Sequence, residues 1–146
     1  NSVVMETAGV MLTMRLVDGK FPDYQQVLPP RSERRATVDR AEMLAALKRV
    51  GLMSPDKSSL VRCDVKPGLL ELHTNNPDLG EADDSVEAAY EGEPLRIGLN
   101  IRYVADALGT IPAEKVDIEF TDALSPAVFF GVGVEGLKLV VMPMRV

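Results

Sequence analysis

With 146 residues, of which 46% are hydrophobic and 26% charged, the chain is long enough to form a domain with a core and is not typical of a disordered protein. Its net charge of −6 argues against a protein that holds nucleic acid by bulk electrostatic attraction. One cysteine and one histidine exclude an internal disulfide and the common cysteine–histidine zinc sites, so we expect a reducing compartment, no metal and no cofactor.

The first residues of the chain argue against a secreted or membrane protein. Residues 1–6 have no basic segment followed by an apolar one, which excludes a signal peptide. No apolar run approaches the roughly 20 residues that a membrane helix needs, so we expect a cytoplasmic protein. Because the chain has no initiator methionine and begins directly with a strand pattern, we also expect a fragment of a longer protein.

The beginning of the chain predicts a hairpin. Strands are predicted at Val3–Glu6 and Val10–Val17, with a short turn between them in which Gly9 can adopt positive φ. A turn-rich segment follows, and then the pair Pro29-Pro30, which breaks regular structure. We therefore place a domain boundary here, between residues 1–30 and residues 31–146, and interpret the arginines just after it as part of a solvated linker.

After this boundary the same order of elements is predicted twice: a strand, a helix and three strands. The first helix begins after Asp39, an N-cap candidate with a glutamate at capping-box spacing, and ends near Val50; the second begins after Asn100 and ends at Leu108. The strands are predicted at 36–38, 60–65, 69–74, 85–90, 95–98, 116–121, 127–130 and 137–142. Such a repeat predicts an α+β fold in which two helices cover one face of antiparallel sheets.

Each predicted helix has one apolar and one polar face. The residues at helical spacing that should pack on the sheets are Met43, Leu44, Leu47 and Val50 in the first helix and Ile101, Val104, Ala105 and Leu108 in the second. The opposite faces carry Arg40, Lys48, Arg49 and Arg102, with Asp106 reducing the positive charge of the second helix.

Three motifs in a fixed order make a more specific identification possible. They are Leu16–Tyr24 with Val27-Leu28-Pro29 after it, Ile97–Val104, and Val140–Val146 at the end of the chain. Over essentially its whole length the chain resembles the C-terminal part of the bacterial DNA sliding clamps, the beta subunits of DNA polymerase III. The resemblance implies a DNA-clamp fold, in which residues 1–30 end the middle domain and residues 31–146 form the third domain.

The resemblance also implies a function without catalysis. A sliding clamp is a head-to-tail ring of two protomers that encircles duplex DNA, with helices around the hole and sheets outside. It is a processivity factor that tethers the DNA polymerase III alpha subunit, the clamp loader, other polymerases and repair proteins. Because such a ring holds DNA by enclosure, a few basic side chains in the hole suffice and a net negative charge is compatible with a DNA partner.

Partner proteins of these clamps insert a short linear peptide into a hydrophobic pocket between the second and third domains. The resemblance assigns to this pocket, including its rim, Pro22, Val27, Asn100, Tyr103, Pro126, Val140, Val141, Met142, Pro143, Met144, Arg145 and Val146. Methionines adapt to varied apolar partners, and Pro143 restricts the backbone. The alternative is that the last residues are a frayed strand end. The chain departs from many members at Val146, where leucine is common, and at Gln25 or Gln26, where a basic residue is common.

Two further sets of residues have alternative interpretations. Arg40, Lys48, Arg49 and Arg102 are implied to face DNA, but scattered charges on helices are often simply solvated. Leu52 and Met53 follow the first helix, where the resemblance implies the ring interface and core packing is the alternative.

Two other functions are weighed against the clamp. One is a free-standing peptide-binding module without a role in replication. The other is a small hydrolase or isomerase, which would need an acid–base pair such as Asp64 with Glu71, although no motif organises these residues. His73 is expected to point outward without a catalytic role, and the acidic residues 78–84 are expected to form a solvated loop.

Overall fold

The structure, a computed structural model, describes residues 1–21, 23–26, 28–54 and 59–146. The helices are α1 (Arg40–Gly51) and α2 (Ile101–Thr110), and a single 3-10 turn lies at Tyr24–Gln26. The strands are β1 (Ser2–Thr7), β2 (Val10–Arg15), β3 (Arg35–Asp39), β4 (Leu60–Lys66), β5 (Leu69–Asn76), β6 (Gly80–Ala89), β7 (Leu95–Asn100), β8 (Lys115–Glu119), β9 (Ala127–Gly131) and β10 (Leu139–Val141).

Eight of these strands form one antiparallel sheet in the order β10-β9-β8-β3-β6-β5-β4-β7. The central seam is short, because β3 and β6 pair only through Thr37 with Ala89 and Val38 with Ala88. Strands β1 and β2 pair with each other in a separate hairpin whose side chains are exposed on both faces. The predicted α+β arrangement of antiparallel strands with two helices is confirmed.

Both helices begin at the predicted N-caps. The Asp39 carboxylate accepts a hydrogen bond from the backbone N–H of Glu42 at 2.9 Å, which satisfies a donor that has no partner within the helix. Helix α2 continues to Thr110 instead of ending at Leu108, and the Thr110 hydroxyl donates to the carbonyl of Asp106 at 2.8 Å. Neither helix is long and apolar enough to cross a membrane, and no other helix of that kind occurs in the described residues.

The hydrophobic core lies between the two helices and the sheet. The residues of α1 and α2 that are fully buried are Met43, Ala46, Leu47, Val50, Val104, Ala107 and Leu108. Thus Ala46 and Ala107 lie on the buried faces, whereas the predicted Leu44 and Ala105 are only partly buried. The helices also touch each other, since a Cβ atom added to Gly51 would lie 3.7 Å from Cγ2 of Ile101.

The acidic residues 78–84 are not the solvated loop that their composition predicts, because β6 begins at Gly80. Asp83 pairs across the strands with His73, and the Asp84 carboxylate accepts from Nε of Arg49 at 2.6 Å. Arg49 of α1 offsets the charge of Asp84, and His73 of β5 gives Asp83 a hydrogen-bond partner, so acidic side chains can continue the strand. His73 lies on the sheet face opposite the core, beside Glu71, as expected.

The arginines after the predicted domain boundary also make specific contacts. Arg35 lies in β3, where its Nη2 is 2.8 Å from the Glu119 carboxylate and its Nη1 is 3.5 Å from that of Asp117. Its guanidinium lies 5.7 Å from the centre of the Phe130 ring. Arg34 donates from Nη1 to the carbonyl of Thr121 at 3.3 Å. The expectation of a merely solvated linker is therefore wrong for Arg34 and Arg35.

On the sheet face that points away from the helices, Asp64 holds two arginines. Nε of Arg96 lies 2.6 Å and Nε of Arg62 lies 3.1 Å from the Asp64 carboxylate, which is largely buried. Burial raises the pKa of Asp64, but hydrogen bonds and charge from Arg96 and Arg62 outweigh it and hold the pKa below its ordinary value of 3.8. The carboxylate therefore stabilises the fold at neutral pH.

Replacing this carboxylate with an amide tests its contribution. We expect Asp64→Asn to lower the free energy of unfolding by about 1–3 kcal/mol at neutral pH, because two arginines lose their charged partner. A group whose native pKa is depressed contributes stability that is lost as the pH falls through that pKa, so the difference should shrink in acid. Urea unfolding across the pH range checks this, with Glu135→Gln on an exposed loop as the control; an equal difference at every pH would contradict it.

The single cysteine, Cys63, points from β4 into the core and is only 1% exposed. Burial, and secondarily the charge of Asp64, raises the pKa of its thiol to about 12. Because the thiolate is the reactive form, we expect iodoacetamide to modify Cys63 slowly in the native chain at neutral pH and rapidly after unfolding in urea. Mass spectrometry of both samples measures this, and rapid modification of the folded chain would contradict it.

Candidate functional site

An open groove of about 400 Å³ runs between α2 and the edge strand β10. Its lining residues are Tyr103, Asp106, Ala107 and Thr110 of α2, Leu139, Val140 and Val141 of β10, and Met142 just beyond the strand. The edge of a sheet and one face of a helix therefore form its two walls. Of the predicted pocket residues, the structure brings Tyr103, Val140, Val141 and Met142 together here.

The groove has a buried floor and exposed apolar edges. Val141 is 4% exposed, whereas Tyr103 is 62% and Met142 61% exposed. Asp106 and Thr110 add a carboxylate and a hydroxyl to the helical wall. A concave, largely apolar surface with a few polar groups can bind apolar side chains and orient their backbone.

The capping residue Asn100 orients the helical wall. Its side-chain oxygen accepts from the backbone N–H of Arg102 at 3.0 Å and of Tyr103 at 3.3 Å. These bonds hold the first turn of α2, and with it the position of Tyr103 at the groove. Asn100 therefore acts on the groove through the helix backbone.

The segment after β10, residues 142–146, is called the tail here. The backbone N–H of Met144 donates to the carbonyl of Gly98 in β7 at 2.8 Å, and the two residues form an isolated bridge. Pro143 and Met144 are half-buried, while Arg145 and Val146 are exposed. The alternative of a frayed end is therefore wrong at Met144, because the tail is attached to the strand at the other end of the sheet order.

None of the other predicted pocket residues that the structure describes is among the lining residues of this groove. Pro126 is half-buried and directly precedes Ala127, which pairs with Val141. Pro22 and Val27 lie outside the described residues. Leu28 and Pro29, which follow them, line a different cavity of about 240 Å³ together with Arg31, Arg35, Phe130 and Leu137.

The interpretation of the sequence missed four of the lining residues: Asp106, Ala107, Thr110 and Leu139. The first three follow Tyr103 at intervals of three, four and seven residues, so helical periodicity alone could have found them. The prediction that Asp106 shares the polar face of Arg102 overlooks this spacing.

The four basic residues predicted to face DNA differ in their surroundings. Arg40 is half-buried and donates from Nε to the carbonyl of Ala113 at 2.7 Å, and Arg49 is paired with Asp84. Lys48 and Arg102 are exposed, one on each helix. On α1, the guanidinium groups of Arg40 and Arg49 are therefore already bonded to groups of this chain.

The predicted interface residues follow α1 in a turn. Leu52 is 78% exposed, and Met53 is half-buried with its backbone N–H donating to the carbonyl of Val50 at 3.1 Å. The alternative of core packing is therefore wrong for Leu52. Within the described part of the chain, no three histidine, cysteine, aspartate or glutamate side chains are placed to hold a metal ion.

Comparison with known proteins gives a consistent result. Residues 25–145 match the family model described as DNA polymerase III beta subunit, C-terminal domain. The beta sliding clamp of Caulobacter vibrioides is 37% identical over 144 residues, which are 99% of this chain and 39% of that protein. The chain thus spans about two fifths of the length of this relative.

Solved structures agree with the sequence match. The DNA polymerase III subunit beta of Pseudomonas aeruginosa superimposes with a TM-score of 0.91 at 36% identity, covering 99% of this chain and 40% of that one. A sliding clamp from Bartonella birtlesii bound to griselimycin also gives a TM-score of 0.91 at 36% identity, covering 99% and 39%. The similarity therefore includes both sequence and fold.

Proposed function

Because the chain belongs to the DNA polymerase III beta-subunit family, we propose that it acts as part of a sliding clamp that encircles duplex DNA and docks short linear peptides. The observation that carries this proposal is the groove between α2 and β10, whose apolar walls include Tyr103, Val141 and Met142. Tethering by enclosure requires no chemical step, so the proposed role is a processivity factor and not an enzyme. The family match favours this role over that of a free-standing peptide-binding module.

We propose that residues 31–146 form the third clamp domain from two copies of one unit, β3-α1-β4-β5-β6 and β7-α2-β8-β9-β10. In these units β3 corresponds to β7, β4 to β8, β5 to β9 and β6 to β10. Replacing each strand by its counterpart turns one half of the sheet order, β10-β9-β8-β3, into the other half, β6-β5-β4-β7. The register supports this, because the N-cap Asp39 pairs with Lys115, the first residue of β8, and the N-cap Asn100 pairs with Leu60, the first residue of β4.

Backbone hydrogen bonds at the helix starts support the same duplication. The N–H of Arg40 donates to the carbonyl of Glu114 at 2.8 Å, and the N–H of Ile101 donates to that of Ser59 at 2.7 Å. In each case the first residue of a helix bonds the residue just before a strand of the other unit. Two unrelated halves would have no reason to share this connection.

We propose that residues 1–30 belong to the middle domain of the clamp. The hairpin β1–β2 exposes large apolar residues on both faces, including Val4, Met5, Val10 and Met11. An isolated hairpin is marginally stable in water, and exposed apolar surface of this kind favours association with further structure. The proposed partner is the portion of the middle domain that the relatives contain and this chain does not span.

The groove is proposed to hold the linear motif of the polymerase alpha subunit, of the clamp loader, or of other polymerases and repair proteins. Met142 can adapt to different apolar side chains, and Pro143 limits the movement of the tail. Arg145 is exposed at the end of the tail, where its guanidinium can donate to a peptide carbonyl. Pro22 and Val27 are proposed to complete the opposite wall.

We propose that the basic residues of the two helices face the enclosed DNA and that Leu52 and Met53 contact the first domain of a second protomer. The exposure of Lys48, Arg102 and Leu52 supports these assignments. Arg40 contributes less, because its Nε is bonded to a backbone carbonyl. Enclosure of DNA requires the further domains of the relatives, so this chain alone should not form the ring.

Removal of the tail tests the peptide site. Calorimetric titration with a synthetic peptide carrying the clamp-binding motif of the polymerase alpha subunit should show binding to the intact chain and none after deletion of residues 142–146. The shortened chain should stay folded, because none of the deleted residues belongs to the buried core. Leu79→Ala, on an exposed turn away from the groove, is the control and should bind as the intact chain does. Equal affinity of both folded chains would place the peptide site elsewhere.

The proposed mode of DNA contact predicts weak and salt-dependent binding. We expect linear duplex DNA to bind this chain with a dissociation constant no tighter than about 10 μM. The slope of log K against log salt should be no steeper than about −4, because at most four basic residues face DNA. Fluorescence anisotropy of a labelled duplex measures both, with Lys48→Ala/Arg102→Ala expected to reduce the slope and Lys138→Ala as control. Tight, salt-insensitive binding would contradict enclosure.

A further inference from the structure

The tail approaches β7 more closely than a side chain at the contact would allow. A Cβ atom added to Gly98 would lie 2.5 Å from the carbonyl oxygen of Met144, 3.1 Å from Cδ1 of Leu60 and 3.2 Å from Cγ2 of Val146. The first of these distances is far below van der Waals contact, and the atom met is backbone, which cannot rotate away as a side chain end can. The absence of a side chain at position 98 thus permits the present path of the tail.

This contact corresponds to the short seam between β3 and β6. There Thr37 pairs with Ala89, and Thr37 lies two residues before the N-cap of α1. Gly98 likewise lies two residues before the N-cap of α2, and it pairs with Met144. The tail is therefore the continuation of β10 that meets β7, as the end of β6 meets β3.

The two seams differ in strength. The β3–β6 seam has a second residue pair, Val38 with Ala88, whereas proline at position 143 has no N–H to donate at the neighbouring place in the tail. Among the described residues, the tail seam has one backbone hydrogen bond, from the Met144 N–H to the Gly98 carbonyl at 2.8 Å. Thr37 also carries a hydroxyl that donates to Asp117 at 2.6 Å, which is not possible at Gly98. At Gly98 the close approach of the Met144 carbonyl takes the place of this side-chain hydrogen bond.

We propose that Gly98 is a positioning residue that seats the tail on β7 and thereby sets the geometry of the peptide groove. Met142, which forms the exposed edge of the groove, is two residues from the seated Met144. A displaced Met144 carbonyl moves Met142 relative to Tyr103 across the groove. The consequence for binding rests on the proposed peptide function, whereas the seating of the tail rests on the Gly98–Met144 geometry alone.

Gly98→Ala tests the consequence for binding. We expect about tenfold weaker binding of the polymerase alpha-subunit peptide, because overpacking at the seat displaces the tail. The amide proton of Met144 should exchange faster, since its hydrogen bond to Gly98 is lost. Gly109→Ala is the matched control, because a Cβ there meets no atom within 4 Å, and both properties should stay as in the unchanged chain. Unchanged affinity or unchanged Met144 protection in folded Gly98→Ala would overturn the proposal.

A double-mutant cycle distinguishes two roles of Gly98, namely positioning the tail and stabilising strand β7 itself. Deletion of residues 144–146 removes the carbonyl and the Val146 side chain that a Cβ at position 98 would meet. Gly98→Ala should then lower the urea midpoint of the full chain clearly more than that of the shortened chain, where of these three atoms only Cδ1 of Leu60 remains near position 98. An equal loss in both chains would mean that Gly98 serves the strand only, and would overturn the proposal.

The two proposals can fail separately. If the unchanged chain does not bind the peptide although it is folded, the proposed peptide function is wrong and the predicted effect of Gly98 on binding fails with it. The exchange rate of Met144 and the double-mutant cycle still decide whether Gly98 seats the tail. If the peptide binds but Gly98→Ala has no effect, only the positioning role is wrong.

Discussion

The structure depends on how each helix begins. The end of β3 pairs with β8 and the end of β7 pairs with β4, and in each case the next residue starts a helix. The first helical N–H then bonds a carbonyl just before the partner strand, as from Ile101 to Ser59. Each helix start is thus tied to a strand distant in the sequence, so the strand pairing and the helix starts support one another.

This arrangement also explains why the groove lies where it does. Helix α2 starts at the end of β7 and is anchored by its buried residues Val104 and Leu108. Its C-terminal half therefore passes beside β10, which is the strand at the opposite end of the sheet order from β7. Strand β10 is a short edge strand, paired through only three residues with β9. An edge strand beside an exposed helical face leaves a concave apolar surface, and such surfaces favour the binding of short peptides.

Part of the positive charge is paired locally with acidic side chains in the described residues. Acidic residues of the sheet hold arginines, as Asp64 holds Arg96 and Glu119 holds Arg35. On α1, Arg49 is paired with Asp84 of β6. Under the proposed clamp function, such ion pairs leave fewer arginines free for phosphates, which fits contact by enclosure better than tight phosphate binding.

The sequence by itself determined the helices, their N-caps and most strands, because these depend on local spacing and on short-range hydrogen bonds such as that from Glu42 to Asp39. The motifs were also sufficient to predict the family, and with it Tyr103 and Met142 as groove residues. Only the tertiary structure decided that α2 and β10 form the two walls of the groove, that β6 extends to Gly80, and that Met144 is seated on Gly98. These features depend on contacts between residues far apart in the chain, such as Arg49 with Asp84, and a local pattern does not encode which distant strand will meet a given residue.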